Sequence, residues 1–294
     1  MINEQFLRDL CDLDEKEADY DELVDNLPLL EKAQAKIHRI LLNARMKKLM
    51  ADFGERDTDI YVVSFPRSGT TLMQMILYQM TTDGDMSFQH IYDVSPWCRF
   101  SAFFNRAMPS LGERRIIKSH DDYSVLEQIK KGKFIFMIRD CLDVISSVHQ
   151  QTLDYVNPAA DFNELSNRNM ERWLSYNNDW IRNRSRLDVL YVHYEEVVRD
   201  KQNAIKSIAE FLEVEIDEPT LQRVMDRTSF EFMKQHESKF GEQPDHWKVY
   251  NNFIRSGRIG EGKAEFSKEQ IRHLKELSAN YDVKGTPFER YLSI

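Results

Sequence analysis

Four short apolar runs mark the chain, and each gives way to a segment of different period. Ile60 to Val63 stops at Ser64 to Gly69, and Leu72, Met75, Ile76 and Met80 then recur at helical spacing. Arg115 to Lys118 is a short strand ending in Lys118, Ser119 and His120. Phe134 to Ile138 is apolar throughout, as a buried parallel strand is, and Asp140 is placed to cap a helix over the following residues. Asp188 to His193 is a strand that runs into a helix at Tyr194. Helical spacing is also present from Asp161 to Arg186 and from Asn203 to Leu212. Ahead of all these, Leu23, Leu27, Leu30, Ala33, Ile37, Leu41 and Met50 predict two amphipathic helices between Glu15 and Met50, with a break at Pro28. Strand and helix in alternation predict an α/β fold. The expected unit is a single domain with a central parallel sheet flanked by helices, spanning residues 56–294, with residues 1–55 as a helical segment packed on it.

Composition narrows the partners. A formal net charge of -9 argues against nucleic acid, so any positive site must be local. Cys11, Cys98 and Cys141 have neither paired nor metal-ligand spacing, which predicts a reducing, cytoplasmic setting and no metal. Met1 to Tyr20 is acidic and weakly apolar, unlike a signal peptide, and no apolar run approaches the ~20 residues of a membrane span. There is no repeat and no Pro- or Gly-rich linker. The chain gives no signal of oligomeric state.

The chemistry begins at Tyr61 to Leu77. A strand, a tight loop and a helix start aim backbone N–H groups and the positive end of a helix dipole at one spot, where an anion belongs. Ser68, Thr70 and Thr71 add hydroxyls, Arg67 adds a charged fork, and Gly69 lets the backbone approach. A polar turn with no ligand is the alternative at this point. The nucleotide triphosphatase frame G-x-x-x-x-G-K-[ST] fails twice here, with Ser64 at its first Gly and Thr70 at its Lys.

The segment resembles the signature of sulfotransferases that use 3'-phosphoadenosine 5'-phosphosulfate, written T-Y-P-K-S-G-T-T-W. Pro66, Ser68, Gly69, Thr70 and Thr71 match, while Arg67 replaces the Lys and Leu72 the Trp. Lys118-Ser119-His120 resembles the family's Lys-Thr-His. Arg139, Asp143, Val144 and Ser147 repeat its Arg, Asp-Val and Ser, which grip the 3'-phosphate. Tyr194 falls on a Tyr that approaches the adenine, and Thr228-Ser229-Phe230 matches a Thr-Ser-Phe that bonds and stacks on it. Arg255, Ser256, Gly257, Gly260 and Lys263 follow the late motif Arg-Lys-Gly-x-x-Gly-x-x-Lys, which closes over the 3'-phosphate. There Ser256 replaces a Lys, and Gly262 replaces a Trp, which loosens the expected grip.

The resemblance runs from about Ile60 to Lys263 and implies the family's P-loop-nucleotide-kinase-like fold. It implies transfer of a sulfuryl group to a hydroxyl of a small acceptor, with 3',5'-adenosine bisphosphate as product. His120 is the expected general base, with Lys118 and Arg67 stabilising the transferring group; Ser68 to Leu72, Arg139, Ser147, Tyr194, Thr228, Phe230 and Arg255 to Gly257 hold the donor. Arg67, with a pKa above about 12, acts as a fixed charge. The aromatic stretch Phe88 to Met108 is either core or an acceptor wall; as a wall it favours an apolar or aromatic acceptor, and Arg99 and Arg106 within it read as solvated. Two alternatives stand beside this: an ATP-dependent phosphotransferase of P-loop type, and a nucleotide-binding module without catalysis.

Overall fold

The computed structural model describes residues 26–241, 252–281 and 284–292, together with Arg8 and Cys11. Its centre is a parallel sheet of β1 (Ile60–Ser64), β2 (Ile116–Ser119), β3 (Lys133–Ile138) and β4 (Val189–His193), in the order β2-β1-β3-β4. Ile60 is in register with Ile116 on one side and Lys133 on the other, and Phe134 with Val189. The four runs are buried or half-buried on both faces because helices cover both, which is why three of them read as continuous apolar stretches.

Side chains alternate between two layers of core. Tyr61, Val63, Phe134 and Phe136 pack with α5 (Cys141–Tyr155) and α6 (Phe162–Arg182), where Trp173 and Trp180 are fully buried. Ile60, Val62, Ile135 and Met137 pack with α2 (Thr70–Thr81), α8 (Lys201–Phe211) and α9 (Glu218–Arg227). At the amino end of the sheet the Arg115 guanidinium forks onto both oxygens of Asp59 at 2.7 and 2.6 Å. It also donates to the carbonyls of Phe53 and Gly54, pinning the end of α1 (Leu27–Phe53).

Pro28 lies in the first turn of α1, where its missing N–H costs nothing, so it opens this helix; the stretch expected from Glu15 to Asp25, Leu23 included, lies outside the described residues. Only Met46 and Met50 of α1 are buried, and Leu27, Leu30, Ile37 and Leu41 are exposed. Among the described residues no helix is long and apolar enough to cross a membrane.

The strand order places the site. From β1 the chain passes to β2 on one side, and from β3 to β4 on the other, so a crevice opens outside the carboxyl ends of β1 and β3. Arg139 follows the end of β3 directly, and Arg67 stands three residues past the end of β1.

Candidate active site

The loop after β1 enters α2 through two left-handed residues, Arg67 at φ 68° and Gly69 at φ 93°. Gly69 is required twice over. A left-handed φ disfavours a Cβ, and a Cβ here would stand 2.6 Å from Cδ2 of Tyr194. The first-turn amides of α2 therefore face the crevice with no intrahelical acceptor. Thr70 is tied to Ser64 hydroxyl to hydroxyl at 2.6 Å. The Ser68 hydroxyl is buried and has no hydrogen-bond partner among the described residues.

Arg67 crosses the crevice. Its Nε donates to Ser147 Oγ at 3.0 Å, its Nη2 donates to the Phe253 carbonyl at 2.8 Å, and its guanidinium lies 4.8 Å from the Phe253 ring centre. Burial and the nearby charges of Arg139 and Arg255 lower its pKa to about 10. That corrects the expected value above about 12, and it still leaves the group charged at neutral pH.

Arg139 ends β3, where Asp140 caps α5 by accepting from the amides of Leu142 and Asp143 at 2.9 and 3.1 Å. Burial raises the Asp140 pKa. Asp140→Ala is expected to cost about 1 kcal/mol and to lower the Tm by roughly 2–4 °C, as calorimetry would record. Arg139 itself is buried: Nη1 donates to the Arg67 carbonyl at 3.1 Å, and the guanidinium lies 4.4 Å from the Tyr194 ring centre. Its Nε has no hydrogen-bond partner among the described residues. An orphaned buried donor on a cavity-lining residue, as Arg139 Nε is among the described residues, fits a site built for an anion.

The late loop reaches the crevice from 252 to 265. It is held by Asp143, whose carboxylate accepts from the amides of Gly260 and Gly262 at 2.7 Å each. A Cβ on Gly262 would stand 2.4 Å from the Leu142 carbonyl oxygen. Glycine at 262 thus lets the loop close onto α5. Ser256 donates to Glu261 at 2.6 Å, and Gly257 packs against the Phe230 ring, where a Cβ would approach to 2.6 Å. Lys263 is exposed and outside the cavity. Thr228 donates its hydroxyl proton to the Val224 carbonyl at 2.6 Å, so toward a ligand its oxygen is left to accept.

At the end of β2, Lys118 Nζ donates to Tyr92 Oη at 2.7 Å and lies 4.3 Å from the Trp97 ring centre. His120 Nδ1 is 2.7 Å from the Ser64 carbonyl. A carbonyl only accepts, so Nδ1 carries the proton and Nε2 is left as the basic nitrogen. Burial first, then the charge of Lys118, holds the His120 pKa well below 6.5.

One cavity of about 660 Å³ collects Arg67, Gly69, Thr70, Thr71, Leu72, Lys118, His120, Arg139, Ser147, Tyr194, Thr228, Phe230, Arg255, Ser256 and Gly257. Of the residues expected from sequence, Ser68, Asp143, Val144, Gly260 and Lys263 are not on its wall. From the aromatic stretch only Trp97 reaches the cavity; Tyr92, Phe100 and Phe104 pack ring on ring, and Phe103 and Phe104 are exposed. Arg99, read as solvated, pairs with Asp121, and Arg106 lies over the Phe104 ring. Sequence reasoning passed over Gln151, Thr152 and Tyr155. Gln151 and Tyr155 stand four and eight residues past Ser147, a helical spacing that marks their face. It also passed over Lys201, Phe253 and the anchoring role of Asp143.

A parallel sheet with anion donors converging on a crevice at its carboxyl edge is an α/β fold with a candidate anion-binding site. A family model described as the sulfotransferase domain matches residues 57–286, and the chain belongs to that family. Its enzyme class is accordingly sulfotransferase. Rat sulfotransferase 2B1 is 29% identical over 236 residues, which cover 73% of this chain and 68% of that one. The guinea pig 3-beta-hydroxysteroid sulfotransferase is 26% identical over 266 residues, 83% of this chain and 92% of its own. The structure of a mouse sulfotransferase complexed with PAP superposes with a TM-score of 0.60 at 20% identity, covering 81% of this chain and 89% of that one; this likeness speaks for the fold.

Proposed function

We propose that the enzyme moves a sulfuryl group from 3'-phosphoadenosine 5'-phosphosulfate to the hydroxyl of a small acceptor, with His120 as general base. The observation that carries this is the sharing of one cavity by two cationic clusters, Arg67 with the α2 amides and Arg139 with the late loop, and by His120 and Lys118. A donor with phosphates at both its 3' and 5' ends needs two such clusters. PAP in the mouse relative's structure supports the same donor.

The acceptor hydroxyl gives its proton to His120 Nε2 as its oxygen forms a bond to sulfur. The bond from sulfur to the donor's phosphate oxygen breaks, and the 5'-phosphate leaves with that electron pair. Charge on the sulfuryl oxygens meets Lys118 and Arg67, and the leaving phosphate meets the α2 amides with Thr70 and Thr71. The Tyr92 hydroxyl and Trp97 ring hold the Lys118 ammonium in one place, so little ordering is left for the reaction step. Arg139, Arg255 and Ser256 are assigned to the 3'-phosphate. Tyr194, Thr228 and Phe230 are assigned to the base, with Thr228 accepting from an amino group. Leu72 offers an aliphatic face where the family pattern has an aromatic one.

Residues 56–294 are assigned to the catalytic domain and 1–55 to a separate N-terminal segment, whose helix Leu27–Phe53 packs on the core through Met46 and Met50. Free buried thiols at Cys98 and Cys141 support a reducing, cytoplasmic setting.

The test is made on the wild-type protein. With 3',5'-adenosine bisphosphate at 100 times its Kd, stabilisation of about 2.7 kcal/mol is expected, and labelled sulfate should pass from donor to a phenol or alcohol. A melting shift with ATP and magnesium but none with the bisphosphate would overturn the assignment.

A further inference from the structure

Next to His120 an ion pair ties two segments of the cavity wall together. The Asp121 side chain, 2% exposed, accepts from Arg99 Nε on one oxygen. Its other oxygen accepts from Ser119 Oγ at 2.7 Å. The Asp121 backbone is fastened as well: its amide donates to Ser119 Oγ at 2.9 Å, and its carbonyl accepts from the Trp180 indole at 3.2 Å. Neither Asp121 nor Arg99 lines the cavity. Each stands beside a residue that does.

Arg99 lies two residues past Trp97, in the helix Cys98–Phe103, and the Trp97 ring meets His120 edge to face at 5.3 Å. Before the tryptophan, the Lys118 amide donates to the Pro96 carbonyl at 2.8 Å, so β2 and this segment are joined there by backbone alone. After it, the join is the Arg99–Asp121 pair. With its carboxylate out of water, that pair is screened less than one on the surface.

We infer that Arg99 and Asp121 are positioning residues for the general base: their ion pair clasps the segment bearing Trp97 onto the loop bearing His120 and keeps the imidazole in its reactive orientation. This rests on the sulfuryl transfer proposed above. The Ser64 carbonyl holds Nδ1, but a single hydrogen bond leaves the ring free to swing about it. The edge of Trp97 limits the swing, and the clasp limits Trp97. A displacement on the order of 1 Å at a reacting group costs about 10²-fold in rate. Replacing both charges with apolar side chains removes the clasp without stranding a buried charge, so the fold is expected to survive.

The experiment follows labelled sulfate into phenol, benzyl alcohol and cyclohexanol in single turnovers with saturating donor. It compares wild type, Asp121→Asn and the pair Arg99→Met with Asp121→Leu, each with and without His120→Gln. With His120 present, the rate should fall about tenfold in Asp121→Asn, which keeps an acceptor for Ser119, and about 10²-fold in the apolar pair. In the His120→Gln background neither change should cost more than about twofold, because no base is left to place. The Kd for 3',5'-adenosine bisphosphate should stay within about twofold throughout, and Arg99→Lys, which keeps the charge, should hold the rate within about threefold of wild type. Should the apolar pair fail to fold, Asp121→Asn decides alone, since Arg99 then keeps Asn43, 3.3 Å away, and water as partners. A rate unchanged with His120 present, an equal loss in both backgrounds, or bisphosphate affinity lost in step with the rate would overturn the inference while sulfuryl transfer stands. Absence of labelled product from the wild-type enzyme with all three acceptors would overturn the transfer reading and this one with it.

Discussion

His120→Ala is expected to lower kcat by about 10² to 10⁴-fold while the Kd for 3',5'-adenosine bisphosphate stays within about twofold. The split follows from where His120 sits. Its Nδ1 is spent on the Ser64 carbonyl, and its ring meets Trp97 edge to face at 5.3 Å. Neither contact is to the two cationic clusters. Because truncation leaves a gap beside Trp97, His120→Gln serves as the second variant, with the same loss expected in a fuller cavity. Single-turnover measurement with saturating donor separates the chemical step from product release. Bisphosphate affinity lost in step with kcat would make His120 part of the donor site and end its assignment as base.

The same histidine sets a pH dependence. Burial holds its pKa below 6.5 in the free protein, so Nε2 remains unprotonated, and kcat/KM for the donor should not fall on account of His120 until the pH is well under 6.5. Stability responds sooner. In the unfolded chain His120 takes up a proton near pH 6.5, whereas the folded protein resists it. The unfolded state thus binds more protons between those two values, and stability drops as pH falls through that window. Denaturant midpoints measured at pH 7.5 and pH 5 should differ less in His120→Gln than in wild type.

How much of this was legible in the chain depends on sequence distance. The runs at Ile60, Phe134 and Asp188 announce strands because layers on both faces keep them apolar, and their polar endings announce the crevice. Asp140 reads as a cap because its partners are two and three residues away. The anchoring of the late loop spans 117 and 119 residues, from Asp143 to Gly260 and Gly262, and no local pattern encodes it. Nor does any local pattern show that the lack of a Cβ at Gly262 is what lets the loop meet α5. The stretch Phe88 to Met108 had no period because it folds as a single 3₁₀ turn at Ile91–Asp93 and the six-residue helix Cys98–Phe103, with rings packed on rings. Gln151 and Tyr155 were readable from their spacing to Ser147, which puts them on the same face of α5.

Arg139→Ala is expected to weaken 3',5'-adenosine bisphosphate by about 10² to 10³-fold, from the loss of a two-pronged charged contact worth roughly 3–4 kcal/mol, and to weaken 5'-AMP by no more than a few-fold. Arg139 also donates to the Arg67 carbonyl, so removing it loosens the loop that holds the 5'-phosphate. This second effect touches both nucleotides alike, and only the difference between them reports the 3'-phosphate. There is a compensation working the other way. Arg139 is one of the charges that depress the Arg67 pKa, so its loss relieves repulsion inside the crevice and softens the shared penalty. Titration calorimetry of both nucleotides with wild type and variant gives the double difference directly. A bisphosphate loss no larger than the 5'-AMP loss would reduce Arg139 to a strut under Arg67 and leave the second cationic cluster without its ligand.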